Sequence, residues 1–263
     1  MSLFVVNSAL CLRDGACVDE CPRFLIEIRA EGDYPTPIAG AEESCIDCGH
    51  CVAVCPTGAL SLKSSAPEDL APVRRELFPS AEQVDELLRS RRSIRGYESR
   101  PVPSELLTRL IDVSRYAASG SNGQPVEWVV VEGAEAMARF RDLTNAGLRR
   151  QTGVDVSYAR AADLQSPDTT CRGAPHAIVA HTKKGRETDA IIALTYLELA
   201  AYSLGLGACW SGLATGPLNA SPELKAELGI PEGNAAGCVM LVGYARHQFH
   251  RVPKRNSARV TWR

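Results

Sequence analysis

Four cysteines fall within eleven positions of CIDCGHCVAVCP, residues 45–56, and the last is followed by proline. Thiolates at the gaps C-x2-C-x2-C-x3-C-P let a tight loop aim three sulfurs at one iron–sulfur cube, while the fourth leaves the loop to serve a second cube. The spacing therefore predicts another copy. CLRDGACVDECP, residues 11–22, supplies it, with Asp14 where the second cysteine of the frame should stand. The copies are offset by 34 residues, Cys11 to Cys45. Crossed ligation groups Cys45, Cys48 and Cys51 with Cys21 at a complete site, and Cys11 and Cys17 with Cys55 at a site that Asp14 either completes or leaves open. A carboxylate oxygen is a harder ligand than a thiolate and should loosen one iron. One [4Fe-4S] cluster is thus expected beside a second cluster that is either a [4Fe-4S] with Asp14 or a [3Fe-4S].

Zinc competes as a reading, since four cysteines with two-residue gaps also make a tetrahedral site, but zinc knuckles lack the x3-C-P ending and this repeat. Asp14 alone reads equally as a solvated turn residue before Gly15. Of ten cysteines, seven lie in the first 55 residues, an asymmetry that argues for a cofactor module over a disulfide framework. FLIEI and GALSLK, after each run, read as short strands of a ferredoxin-like domain over residues 1–63.

The elements beyond it follow from pattern. SSAPEDLAPVRRELFPS carries three prolines and little periodicity, which makes residues 64–79 a linker. Ser80 and Gln83 form a capping box for a helix to about Arg92, and PSELLTRLIDVSRYAA supplies a second helix. VEWVVVE reads as a buried strand, followed by a helix over 134–150, a strand in HAIVAHT, a helix over 188–204 and a strand over 238–244. Residues 151–172 are polar and long enough for a lid or a plain surface excursion. Cys171, Cys209 and Cys238 sit in apolar contexts as small core residues, and His176 and His181 as locally hydrogen-bonded ones.

With 45% apolar residues and a net charge of −2, the chain can bury a sizeable core but has no electrostatic footprint for nucleic acid, and no segment is apolar enough for a membrane helix. The opening MSLFVVNSAL lacks a basic n-region and a cleavage site, so the expected location is cytoplasmic. Gly205-x-Gly207-x-x-Trp210 puts tryptophan where a dinucleotide fingerprint needs its third glycine, and neither a P-loop nor an H-E-x-x-H helix is present.

RRSIRGY (91–97), ASGSNGQPVEW (118–128), GAPHAIV, GLGACWSG and GYARHQFHRVPKRN, in this order over residues 80–263, resemble the nitroreductase-like flavin oxidoreductases. The whole chain resembles their branch fused to a bacterial ferredoxin domain. The resemblance implies an α+β protein: the iron–sulfur domain first, then an FMN-binding α/β domain with a mixed sheet flanked by helices. It implies that Arg91, Arg92 and Ser93 hold the FMN phosphate and ribityl chain, with Lys254 and Arg255 closing on the same phosphate. Arg95 would face the N1 and O2 edge of the ring, where positive charge raises its potential. Ser119, Ser121, Asn122 and Gln124 would reach the flavin from the partner subunit of a homodimer, and the amides of Ser211, Gly212 and Leu213 would face N5 and O4. The loop departs from the family in Ala118, where proline is usual, and in a tryptophan displaced to Trp128.

The expected activity is electron transfer from an external low-potential donor such as a ferredoxin, through the clusters, to FMN and on to a small organic acceptor. Nitroaromatics and quinones are the acceptors the family implies. A flavin and iron–sulfur module serving a partner protein is the alternative. No catalytic acid or base is assigned.

Overall fold

The computed structural model describes residues 2–153 and 168–263. The chain divides into two compact units: Met1–Phe78 with Ser121–Gly123, and Pro79–Gly120 with Gln124–Arg263.

The N-terminal unit is built from very short elements. Strands β1 (Phe4–Val6) and β4 (Leu60–Leu62) pair antiparallel, as do β2 (Ile26–Glu27) and β3 (Thr36–Pro37). FLIEI thus yields only a two-residue strand, because Phe24 sits at φ 54°, outside the extended region. Between the strands lie the four-residue helices α1 (Ala16–Asp19), α2 (Ala41–Ser44) and α3 (His50–Ala53). Helices α1 and α3 are the two copies of the repeat, and each opens on a left-handed glycine, Gly15 at φ 77° and Gly49 at φ 71°. A glycine adopts this conformation without a Cβ penalty, and it turns the chain so that the next cysteine, Cys17 or Cys51, enters the interior. Phe4, Ile26, Val52, Leu60 and Leu62 pack around those two cysteines.

The C-terminal unit is a four-stranded sheet in the order β5 (Glu127–Val131), β6 (His176–Lys183), β8 (Asn234–Gly243), β7 (Gly207–Trp210). All its pairings are antiparallel, where the resemblance implies a mixed sheet. The helical crossover from β6 to β7 does make those two strands parallel, but β8 lies between them and runs opposite to both. Helix α4 (Ala81–Ser90) opens on the Ser80–Gln83 capping box with both hydrogen bonds present. Helices α5 (Ser104–Ser114) and α7 (Glu187–Ser203) pack against one buried cluster. Helices α6 (Ala134–Thr152) and α8 (Gly212–Ala220) pack against another, and α9 (Pro222–Glu227) follows α8.

Strand periodicity separates those two clusters. Ile178, Ala180, Met240 and Val242 join Leu110, Leu194 and Leu197, while Ala177, Val179, Val239 and Leu241 join Phe140 and Leu218. Alternate residues of a strand point to opposite faces, so β6 and β8 are buried on both sides and read as unbroken apolar runs. β5 reads the same way yet is an edge strand, with Glu127 exposed and Trp128 to Val130 half-buried. β7 lies within GLGACWSG, which shows no strand pattern. Gly205 ends α7 in the left-handed region (φ 72°), and a Cβ on Gly207 would come within 2.6 Å of the Ile94 side chain. These glycines serve packing rather than a nucleotide.

Candidate redox sites

In the N-terminal unit the cysteines sort into two cavities. One is lined by Cys21, Cys45, Cys48 and Cys51. The other is lined by Cys11, Asp14, Cys17 and Cys55. Each run sends its last cysteine to the other run's cavity, which is the crossed grouping. Among the described residues no three His, Cys, Asp or Glu side chains converge closely enough to hold a single metal ion. Two sets of four donors that exchange their last members between the runs fit iron–sulfur cubes better than one tetrahedral zinc.

Backbone amides point at several of these sulfurs. Leu25 N–H donates to Cys21 Sγ at 3.3 Å, Asp47 N–H to Cys45 Sγ at 3.4 Å and Ala59 N–H to Cys55 Sγ at 3.2 Å. Such bonds favour thiolate over thiol. At Cys55, burial pushes the thiol pKa up, but the Ala59 and Thr57 amides, the Thr57 hydroxyl and the Leu60 amide outweigh it and leave the group below its ordinary value. Burial dominates at Cys17, which is raised, and at Cys51, which is pushed up to about 11 by burial and then by Cys48. A bound metal would favour the thiolate form at such thiols.

Asp14 is exposed, and its Oδ1 accepts the Ala16 amide at 3.2 Å. It therefore shapes the turn before α1 while also lining the second cavity. Arg13 lines the same cavity and stacks over the Tyr34 ring at 4.3 Å.

In the C-terminal unit, RRSIRGY is an extended segment anchored at both ends. Ile94 N–H donates to Ala208 O, Glu98 N–H to Tyr244 O, and the buried Tyr97 hydroxyl to Ile94 O at 2.8 Å. Helix α4 stops at Ser90, so Arg91 takes an extended conformation and its guanidinium donates to Glu198 Oε1 of α7 at 2.7 Å. At least one Arg91 donor is thus committed to a buried carboxylate. Arg92 is half-buried, and its guanidinium is held below its ordinary value by burial, then by repulsion from Arg255 and Arg91. Cations that crowd one another in this way suit an anion that relieves them. Ser93 is half-buried beside them, and Lys254 is exposed next to Arg255. Arg95 lies near Cys209 and Tyr97, together with Arg172, a left-handed residue (φ 54°) that the sequence reading missed. No motif surrounds Arg172, so only the fold brings it to Arg95.

The ASGSNGQP loop is held by a clamp. Gly120 N–H donates to Asp189 Oδ1 at 3.0 Å, while Arg186 donates to Gly120 O at 2.8 Å and pairs with Asp189 at 3.0 Å. Ser119 Oγ accepts the Gln124 amide at 3.0 Å, and both residues line a cavity with Trp128. Ser121 and Asn122 belong to the N-terminal unit. There Asn122 Nδ2 donates to Ile46 O at 3.2 Å and Asp47 O at 3.0 Å, so its amide serves a cysteine loop.

Ser211 also corrects an expectation. Its amide donates to Val239 O at 2.8 Å and its hydroxyl to Thr170 O at 2.6 Å, so its donors are spent inside the fold. Gly212 and Leu213 are exposed and open α8, where amides lack carbonyl partners within the helix. Cys171, Cys209 and Cys238 are buried, as expected, with thiol pKa values raised chiefly by burial, Cys171 to about 12. His176 Nε2 accepts the Val102 amide at 2.8 Å, and His181 Nδ1 meets Asn234 Nδ2 at 3.0 Å. Most of the polar stretch read as a lid or a surface excursion, residues 154–167, lies outside the described residues.

Comparison with known proteins agrees with this geometry. Residues 88–244 match the nitroreductase family model, and residues 9–65 match that of the 4Fe-4S dicluster domain. A putative NADH dehydrogenase/NAD(P)H nitroreductase of Methanothermobacter thermautotrophicus is 30% identical over 162 residues, 61% of this chain and 76% of that protein. The 4-nitrobenzoate reductase of a Nocardioides species is 25% identical over 222 residues, 70% of this chain and 88% of the relative. The crystal structure of a nitroreductase with bound FMN from Desulfitobacterium hafniense DCB-2 is similar at a TM-score of 0.57 and 26% identity, over 67% of this chain and 96% of that one. The sheet with its flanking helices, the cationic segment after α4 and the two cysteine cavities thus have a common explanation: the chain belongs to the nitroreductase family of oxidoreductases and carries an iron–sulfur dicluster domain at its N-terminal end.

Proposed function

We propose that the protein takes electrons singly from a low-potential donor such as a reduced ferredoxin and delivers them in pairs to a small organic acceptor, a nitroaromatic or a quinone. For a quinone, two electrons from the donor and two protons from solvent give the hydroquinone. The observation that carries this reading is the crossed sorting of Cys21, Cys45, Cys48 and Cys51 against Cys11, Cys17, Cys55 and Asp14 in one unit of a nitroreductase. Residues 1–63 form the iron–sulfur domain, 64–79 the linker and 80–263 the flavin domain, which works as a homodimer.

When bound, iron–sulfur clusters supply one-electron steps and FMN converts these to two-electron chemistry. The chain's residues bind and tune. Arg92 and Arg255, with Arg91, Ser93 and Lys254, hold the FMN phosphate, and its two negative charges relieve the crowding at Arg92. Arg95, aided by Arg172, places positive charge where a reduced ring is anionic, which raises its potential. Gly212 and Leu213 offer backbone donors to the ring, and Ser119 and Gln124 reach it from the partner subunit. Asp14, with one oxygen on the Ala16 amide, has the other for the second cluster.

The test is anaerobic purification with iron, sulfide and flavin analysis, followed by turnover of 4-nitrobenzoate and a quinone with reduced ferredoxin. Stoichiometric flavin, about seven to eight irons per chain and ferredoxin-driven turnover are expected. Zinc in the cysteine cavities, or a colourless protein, refutes the proposal. Asp14→Cys should convert the spectrum of the second cluster to that of an all-cysteine site, and an unchanged spectrum would leave Asp14 as a turn residue.

A further inference from the structure

We infer that Asn122 is a positioning residue for the four-cysteine site, holding the turn from which Asp47 donates to Cys45 Sγ. The inference rests on the reading that Cys21, Cys45, Cys48 and Cys51 hold a cluster.

Asp47 lies between two of those ligands at φ 53°, a conformation that a non-glycine residue keeps only where its neighbours over-determine it. Three contacts do so here. Asn122 Nδ2 donates to the carbonyls of Ile46 and Asp47, at 3.2 and 3.0 Å, and thereby grips the peptides on both sides of the Asp47 Cα. The Ser64 hydroxyl donates to Asp47 Oδ1. The Asp47 amide, aimed by this turn, donates to Cys45 Sγ at 3.4 Å. The equivalent residue of the other run, Arg13 at φ 59°, is tied through its side chain to Tyr34, 2.6 Å from the hydroxyl. The two turns share a backbone shape and differ in what grips them.

A hydrogen bond to a ligand sulfur stabilises the more negative, reduced cluster and so raises its potential. Loosening the Asp47 turn should therefore lower the potential of the four-cysteine cluster and leave that of the Asp14-containing cluster in place. The experiment is an EPR-monitored redox titration of anaerobically purified full-length holoprotein, comparing wild type with Asn122→Gly. Asn122 itself is left-handed, at φ 52°, and glycine tolerates that conformation, so the substitution removes the donor without straining the loop. The expected result is an intact cluster signal with a reduced-to-oxidised ratio about threefold lower at fixed potential, the worth of part of one hydrogen bond. Ser64→Ala should move the ratio in the same direction by less. If Asn122→Gly does not fold, Asn122→Ser, whose hydroxyl is too short to span both carbonyls, gives the same reading. Superimposable titrations of wild type and variant would overturn the inference alone. A wild-type protein without a cluster signal would overturn the parent reading, and this inference with it.

Discussion

The N-terminal and C-terminal units bury themselves by different means. In the first, strands of two or three residues and helices of four enclose a small apolar cluster that includes Phe4, Ile26, Val52, Leu60 and Leu62, and the thiols of Cys17 and Cys51 are buried with it. In the second, β6 and β8 are buried on both faces and sandwiched between helices, with Leu110, Leu194, Leu197, Ile178, Leu218 and Met240 all inaccessible. Each such leucine contributes roughly 1.5–3 kcal/mol, so the second unit carries its own core. The first lines two cavities with cysteines and Asp14. A small unit whose interior is lined by metal ligands draws folding energy from what it binds.

The largest expected effect follows from that contrast. Stripping the clusters with a chelator and mild oxidant should abolish amide-exchange protection in β1 and β4 while β6 and β8 stay protected. Equal protection of β1 and β4 with and without iron would break the comparison. Next in size, Leu194→Ala should destabilise the C-terminal unit by about 2–5 kcal/mol in denaturant titration and leave the cluster spectrum untouched.

A smaller loss is expected from Arg91→Ala, which strands the buried Glu198 carboxylate. The pair is 24% and 8% exposed, so solvent screening trims the cost to about 2 kcal/mol. Glu198→Gln in the same background should recover part of the lost thermal stability.

The smallest is a pH effect confined to the C-terminal unit. Burial holds His176 and His181 below their ordinary 6.5, against the weaker opposing charges of Glu132 and Glu127. A lowered folded-state pKa contributes stability that is present above 6.5 and lost as pH falls through the folded value. Wild type should therefore lose thermal stability between pH 7 and pH 5, and His176→Gln, whose carbonyl can still accept the Val102 amide, should lose less.

The grouping of the cysteines around two cavities was legible from spacing, because they sit on local turns and the gap lengths themselves set the loop geometry. The candidate flavin residues were legible only as an ordered series of fragments. Glu198 as the partner of Arg91 and Arg172 as the neighbour of Arg95 were hidden, since each lies more than seventy positions away in the chain and no local pattern marks it. Strand β7 was missed because its four residues are too few to show alternation, and β5 was taken as buried because an edge strand can still carry an apolar run.

By itself the sequence determined the two cysteine runs, the capped start of α4 and the helices and strands with strong periodicity. All of these depend on residues a few positions apart, whose separation the covalent chain sets. Only the tertiary structure decided that Ser211 spends its amide on Val239, that Asn122 grips the Asp47 turn and that β8 runs between β6 and β7. Those outcomes pair groups distant in sequence, and which donor finds which acceptor is settled by the packing of whole elements.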